Sequence, residues 1–152
     1  NGAAQGGNYN MVSVRNYQGL GFWLSVGAHS GNAVAVTLQQ GKNVEAGSAK
    51  ALGFSKAYKN VPGSSPQQES DRWDEFDVSS DTFNIAANTN YFIPVRTDTL
   101  DTNNDFDCVR LHVAAASAST IVSGHVELWG GPEGLSGNVK HIPSAAVNQM
   151  TN

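Results

Sequence analysis

The residue types that could support chemistry are concentrated in residues 106–131. This stretch holds Cys108, the only cysteine of the chain, together with His112 and His125. A thiol beside a cation can have a lowered pKa and act as a nucleophile, and strand alternation would place Cys108 on one face with Arg110 and His112. No helix N-terminus is visible in the sequence to lower its pKa, and a lone cysteine is more often a small buried hydrophobic residue. We therefore expect Cys108 to be structural.

Two arrangements raise the question of a metal ion. Residues 106–131 are predicted to form a hairpin of two strands joined by the small residues 114–119, across which His112 and His125 would face each other. Zinc normally takes four ligands, however, and no others stand at ligand spacing. Residues 101–107, DTNNDFD, place oxygen-bearing side chains at alternate positions, as the first half of a calcium loop does. Phe106 replaces the expected glycine and His112 the closing glutamate, and Asx-rich turns show the same spacing without an ion. We predict no metal and no cofactor, with a calcium-stabilised fold as an alternative.

The three tryptophans indicate a candidate binding surface and not a catalytic site. The sequence has no G-x-S-x-G motif, no P-loop and no glycine-rich dinucleotide fingerprint, so we predict that the protein is not an enzyme. Trp23, Trp73 and Trp129 could form a stacking platform for sugars. Each also lies within or at the end of a predicted strand, where tryptophan more often packs in a core or an interface. Both interpretations stay open.

Short alternating segments must position these side chains. Residues 32–41, NAVAVTLQQG, place Val34, Val36 and Leu38 on one face, which is the pattern of a half-buried strand. Residues 50–60 are predicted as one strand with Leu52, Phe54, Lys56 and Tyr58 on one face. Pro94 stands within another predicted strand and indicates an edge strand or a bulge.

The composition favours a single all-β domain. The chain has 152 residues, of which 16 are glycine and only 14% are charged, and about eight strand segments with no convincing helix are recognisable. This pattern predicts a β-sandwich or barrel over residues 11–131. Residues 1–10 and 132–152 carry little that could be buried, and we interpret them as N- and C-terminal arms.

The charge distribution excludes several partner classes. The net charge is −4, and residues 66–107 carry ten acidic residues against Arg72 and Arg96. Such a surface repels phosphate, so nucleic acid is not an expected partner. No apolar run approaches the roughly 20 residues of a membrane span, so no membrane partner is expected either.

Three stretches, taken in order, resemble small virion proteins of tailed bacteriophages. They are FWLSVGAHSGNAVAVTLQQGKNVEAGSAKALGFSKAYKN, LDTNNDFDCVRLHV and GHVELWGGP, and together they span roughly residues 22–132. The resemblance is to head decoration or cement proteins. It implies a jelly-roll-like β-sandwich, a homotrimer, a position on the capsid exterior of the virion, and the major capsid protein as partner. It implies no catalytic residues.

No motif of the resemblance identifies the capsid contact, so the contact residues are predicted from residue type and position. We expect oligomer contacts at the aromatic residues Trp23, Tyr58 and Trp129, and capsid contacts in the two arms, which include Tyr9 and Ile142. Extended arms suit this role because several linked weak contacts raise the total affinity. The alternative is a carbohydrate-binding head fibre or adhesion module on the virion, which the three tryptophans would serve.

Overall fold

Eleven β-strands make up most of the regular structure in the computed structural model, which describes residues 11–46, 48–60, 73–114, 120–131 and 140–142. The strands are β1 (Val12–Ser13), β2 (Gly19–His29), β3 (Ala35–Gly41), β4 (Lys50–Leu52), β5 (Lys56–Asn60), β6 (Asp74–Asp77), β7 (Thr82–Asn84), β8 (Thr89–Arg96), β9 (Cys108–Val113), β10 (Thr120–Trp129) and β11 (Lys140–Ile142). Two short 3₁₀ turns, Thr97–Thr99 and Thr102–Asn104, connect β8 to β9. The number exceeds the predicted eight partly because several strands have only two or three residues.

The strands form two antiparallel sheets that pack against each other. The five-stranded sheet has the order β1-β9-β3-β4, with β7 also paired to β3, and the six-stranded sheet has the order β11-β10-β2-β8-β5-β6. The chain passes from one sheet to the other at most connections, for example between β2 and β3 and between β7 and β8. The predicted all-β sandwich is confirmed.

The core lies between the two sheets and is built from one face of each long strand. The alternation predicted for β3 is confirmed, because Val34, Val36 and Leu38 are buried while Ala35 and Thr37 are partly exposed. The six-stranded sheet contributes alternate residues in the same way. Its central buried side chains are Leu20, Phe22, Leu24, Tyr91, Ile93, Val95, Val126 and Leu128.

The predicted hairpin of residues 106–131 is wrong. β9 lies in the five-stranded sheet beside β3, whereas β10 lies in the six-stranded sheet beside β2. Both strands have an apolar face, and these faces meet across the core instead of lying side by side in one sheet. His112 and His125 consequently belong to different sheets, and the proposed pairing of the two imidazoles is lost. The small residues 115–119 between the strands lie outside the described residues.

The single strand predicted for residues 50–60 is also divided between the sheets. β4 pairs with β3 and buries Leu52, while β5 pairs with β6 and β8 and turns Tyr58 to the outer face of the other sheet. The chain crosses at residues 53–55. A period of two continues through this crossing, so the sequence pattern does not reveal it.

Pro94 lies in the part of β8 that has only one neighbouring strand. β8 pairs with β2 throughout, including Pro94 with Gly21, but its pairing with β5 covers only Asn90 to Phe92. Pro94 therefore stands where β8 has one neighbour, in agreement with its inability to donate a ladder hydrogen bond.

The two predicted arms are only partly within the described residues. The N-terminal arm, residues 1–10, lies outside them. Within the predicted C-terminal arm, β11 pairs with β10 at the edge of the six-stranded sheet. In the part of the chain that the structure describes, no helix is long and apolar enough to cross a membrane.

Candidate functional site

One row of side chains crosses five strands on the outer face of the six-stranded sheet. Each member lies directly opposite the next in the strand register: His125, Trp23, Phe92, Tyr58 and Glu75, on β10, β2, β8, β5 and β6 in turn. Directly opposed side chains on one face of a sheet have Cβ atoms about 4.5–5.5 Å apart and contact each other. We call this row the aromatic ladder.

The rings of the ladder are in mutual contact. The ring centroids of Trp23 and Phe92 are 4.5 Å apart, and those of Phe92 and Tyr58 are 6.1 Å apart. On its other side, Trp23 stacks nearly parallel to His125, with 5.9 Å between centroids and 13° between planes. Four neighbouring strands, β10, β2, β8 and β5, thus hold the four rings of the ladder at fixed spacing.

Trp73 adds a perpendicular wall beside the ladder. It directly precedes β6, and its ring centroid lies 5.4 Å from that of Trp23 at an interplanar angle of 85°. The residue is 37% exposed, which makes it one of the most exposed large hydrophobic side chains of the described residues. The two indoles therefore form a corner that opens to solvent.

This corner is one end of a shallow pocket of about 290 Å³. Its lining consists of four aromatic residues and a proline: Trp23, Tyr58, Trp73, Phe92 and Pro94. We call it the aromatic pocket. Exposed apolar surface that is concentrated in a concave patch marks binding sites more often than scattered surface hydrophobics do.

Two glycines of β2 allow Trp129 to lie against the same face. A Cβ atom on Gly21 would stand 2.3 Å from Cε2 of Phe92 and 2.9 Å from Cζ3 of Trp129. A Cβ atom on Gly19 would stand 2.5 Å from Nε1 of Trp129. The indole of Trp129 therefore rests directly on the backbone of β2. All three tryptophans lie on one face of the molecule.

Two carboxylates accept hydrogen bonds from the polar ends of the rings. Nε1 of Trp23 donates to Oε2 of Glu127 at 3.0 Å, and the hydroxyl of Tyr58 donates to Oε2 of Glu75 at 3.0 Å. The hydrogen bond to Glu75 raises the pKa of Tyr58. Both ring systems thus keep their polar atoms at the rim and present carbon surface to the pocket.

The β5–β6 edge of the pocket carries an ion-pair cluster. Nζ of Lys56 lies 2.7 Å from Oε1 of Glu75 and 2.7 Å from Oδ1 of Asp77. Hydrogen bonds to Asp77 and then Glu75 raise the pKa of Lys56, and the hydrogen bond from Lys56 lowers the pKa of Glu75. With Glu127 on the opposite side, three carboxylates and one lysine surround the pocket.

The structure brings together three of the five predicted contact residues. Trp23 and Tyr58 line the aromatic pocket, and Trp129 lies on the same face. Tyr9 lies outside the described residues. Ile142 is in β11 at the edge of the same sheet, and its side chain also lies outside the described part. The predicted roles of these five residues stay predictions.

Sequence reasoning missed Phe92 and Pro94 as members of the site. In the sequence Phe92 stands between Tyr91 and Ile93, and all three look equally suited to a core. The structure buries Tyr91 and Ile93 and turns Phe92 outward. The register of β8 against β2 decides this, because a shift by one residue exchanges the two faces.

Cys108 is not an activated nucleophile. Its side chain is 2% exposed, and Sγ donates a hydrogen bond to Oδ1 of Asp107 at 3.2 Å. Burial first, and then the hydrogen bond to Asp107, raise the pKa of Cys108 to about 12. The expectation of a structural cysteine agrees with this environment.

The carboxylates of the calcium-like segment are directed to different partners. Asp101 accepts a hydrogen bond from Nδ2 of Asn104 at 2.8 Å and pairs with Lys50, whereas Asp107 pairs with Arg15 at 2.9 Å. Among the residues that the structure describes, no group of three or more metal-binding side chains occurs. The segment forms the 3₁₀ turn Thr102–Asn104, which backbone hydrogen bonds to the carbonyl oxygens of Asp101 and Thr102 close. The side chain of Asp101 does not cap a backbone amide, so the Asx-type capping suggested by the sequence is absent there.

Comparisons of the chain with protein-family models, curated proteins and solved structures find no match. The resemblance to phage head proteins therefore stays a prediction. The aromatic pocket and its surroundings are the features from which a function has to be argued.

Proposed function

We propose that this chain is a non-enzymatic virion structural protein that binds the outside of a bacteriophage capsid as a decoration protein. In this proposal it assembles as a homotrimer, and the aromatic pocket is its contact with the major capsid protein. Trp23 and Tyr58, expected from the sequence at the oligomer contact, are thereby reassigned to the capsid contact. The mechanism is noncovalent: a rigid domain fills a site on the lattice and raises the cost of separating neighbouring capsid subunits.

The observation that carries the proposal is the convergence of Trp23, Tyr58 and Trp73 around one exposed pocket. Binding energy at protein interfaces is concentrated in a few residues, and tryptophan and tyrosine are enriched among them. The pocket lies on the outer face of a sheet whose inner face is the core, so its shape is fixed before binding. A preformed site loses little conformational entropy when a partner docks.

Two further observations support a protein partner on a particle surface. A β-sandwich is the fold that the resemblance implies, although sandwiches serve many functions and the pocket therefore carries more weight. The three stretches that carry the resemblance contain Trp23 and Tyr58 of the pocket, whereas Trp73, Phe92 and Pro94 lie between these stretches.

The test is association with capsids of the phage that encodes the chain, assembled without it. Trp73→Ala removes an exposed ring without opening the core, and we expect it to weaken binding about tenfold or more. Ile121→Ala is the matched control, because Ile121 is 63% exposed on β10 but does not line the pocket. Cosedimentation with capsids gives both affinities.

Equal binding of the Trp73→Ala protein and the unaltered protein would exclude the aromatic pocket as the contact. The copy number per virion, measured by quantitative mass spectrometry, tests the decoration role itself. Copies in the hundreds are expected for a lattice protein, and absence from the virion contradicts the proposal.

The position of all three tryptophans on one face also favours a second candidate, a carbohydrate-binding adhesion module. Indole faces can stack on sugar rings, and a pocket of about 290 Å³ accommodates a monosaccharide unit. A glycan array with the unaltered protein and the Trp73→Ala protein decides between the candidates, because a capsid-binding protein shows no sugar dependence.

A further inference from the structure

The aromatic pocket has a negative electrostatic potential although its lining is apolar. Aromatic faces are negative because of the ring quadrupole, and cations bind over them. Four aromatic rings line this pocket, and two of them meet at 85° so that a guest in the corner contacts both. This geometry differs from a flat stacking platform, on which the rings would be parallel.

Hydrogen bonding strengthens the negative potential of two of these rings. Trp23 donates its indole N–H to Glu127, and Tyr58 donates its hydroxyl to Glu75. A donor that is hydrogen-bonded to a carboxylate is polarised, and electron density shifts into its ring. Both rings therefore attract a cation more strongly than an indole or a phenol with a neutral partner would.

The charges at the rim favour the same type of guest. Glu127 on β10 and Glu75 on β6 lie on opposite sides of the pocket, at strands that are four positions apart in the sheet, or about 19 Å at the usual strand spacing. Asp77 adds a third carboxylate, and Lys56 balances one of the three. A cation in the centre of the pocket is about one screening length, roughly 10 Å, from these carboxylates, so their net negative charge attracts it.

A second copy of the chain is a poor source of this cation. The whole chain carries 9 lysine and arginine residues against 13 acidic residues. Its exposed Arg15 and Arg96 already pair with Asp107 and Asp98. The complementary charge is therefore expected on a different protein.

We propose that the aromatic pocket is a receptor for an arginine side chain on an exposed basic segment of the partner protein. The guanidinium lies in the corner between Trp23 and Trp73, and its aliphatic stem lies against Phe92 and Pro94. Arginine fits better than lysine because its planar, weakly hydrated guanidinium stacks on rings. The inference rests on the docking function proposed above and names the chemistry of its partner.

The first experiment compares two small probes that differ in charge alone. N-acetylarginine methylamide and the corresponding citrulline derivative have nearly the same shape, but citrulline is neutral. Titration is followed by the ¹H–¹⁵N resonances of the tryptophan indoles in the full chain, assigned with Trp→Phe variants. We expect arginine to shift the Trp23 and Trp73 signals with an affinity roughly fivefold or more above that of citrulline.

The second experiment removes charge from the rim. Glu127→Gln keeps an acceptor for the indole N–H of Trp23 but removes the carboxylate charge, and we expect roughly threefold weaker arginine binding. Glu45→Gln is the matched control, because Glu45 is exposed in the loop after β3 of the other sheet. The difference between the two variants should shrink between about 0.05 M and about 0.5 M salt.

Equal binding of arginine and citrulline overturns the inference, and so does the absence of any indole shift up to about 10 mM probe. If capsid association depends on Trp73 while arginine shows no preference, the docking function stands and only the arginine assignment fails. If arginine is preferred but the chain is absent from virions, the assignment stands and the decoration function fails.

Discussion

At the scale of single residues, Gly21 decides whether the aromatic face can exist. The rings of Phe92 and Trp129 converge on the position that a side chain at Gly21 would occupy, with distances of 2.3 and 2.9 Å to the added carbon. Glycine is therefore required here for space, not for backbone conformation. Gly27, on the same strand and the same face, has its nearest atom at 3.4 Å.

This contrast gives a prediction for stability. Gly21→Ala forces the two rings apart and should lower the free energy of unfolding by about 1–3 kcal/mol, as overpacking does. In Gly27→Ala the added methyl group makes an ordinary contact with Ile121, so this variant should change the free energy of unfolding by less than about 0.5 kcal/mol. Urea unfolding of both variants measures the two values, and equal effects would contradict the ring positions.

Cys108 gives a prediction for pH dependence. Because its pKa is raised from 9.0 to about 12 in the folded protein, the thiol stays protonated at a pH where an unfolded thiol ionises. Iodoacetamide should therefore label the folded protein far more slowly than the urea-unfolded protein near pH 9. Similar rates in the two states would show that the thiol is not buried.

The same shift determines the sign of its effect on stability. The stabilising contribution of the protonated thiol is fully present below the unfolded pKa of 9.0 and is lost as the pH rises toward 12. Between pH 9 and about 12, the free energy of unfolding should therefore fall less with rising pH for the Cys108→Ala protein than for the unaltered protein.

At the scale of secondary-structure elements, the placement of β9 beside β3 has a direct test. Gln39 is opposite Arg110 in the register, and its Oε1 accepts a hydrogen bond from Nε of Arg110 at 2.8 Å. Arg110 is only 8% exposed, so loss of this acceptor leaves part of a charged group poorly solvated. Gln39 and Arg110 are opposite each other only when β9 lies beside β3 in this register.

We expect Gln39→Ala to lower the free energy of unfolding by about 1.5–3 kcal/mol, the usual range for a hydrogen bond to a charged group. Gln39→Glu retains a hydrogen-bond acceptor at the same place, so its free energy of unfolding should fall much less. Thermal or urea unfolding of the pair measures the difference. Equal losses in both variants would contradict the contact.

Individual strands were predictable from the sequence where the alternation of apolar and polar residues was strong. The neighbouring strand that each one pairs with was not predictable. The alternation at residues 34–38 identified β3 and its buried face correctly. The same type of pattern predicted β9 and β10 as strands but assigned them to a common sheet, because periodicity describes a strand and not its neighbour. The break after Leu52 was missed because Gly53 and Ser55 did not interrupt the alternation.

The candidate site was predictable only in part for the same reason. Trp23, Tyr58 and Trp129 were recognised by residue type, since large aromatic side chains at strand positions are suited to interfaces. Their contact with Phe92 depends on the register of β8, which joins segments that are about 70 residues apart in the chain. Local sequence patterns do not contain this information.

At the scale of the whole molecule, the sandwich has two chemically different outer faces. The six-stranded sheet presents the aromatic ladder, whereas the outer face of β3 and β9 presents Thr37, Gln39, Arg110 and His112. There burial, together with the charge of Arg110, lowers the pKa of His112. Two chemically different faces would favour a single binding orientation, which the proposed position on a particle surface requires.

If the proposed partner recognises the aromatic ladder, recruitment of the chain depends on its folding. Its members come from five strands that are spread over residues 23–125, so a chain that has not completed the six-stranded sheet displays only isolated rings. A partner that recognises the assembled row would discriminate against misfolded copies without any separate inspection step. By mass action, the same partner would hold accepted copies in their native state.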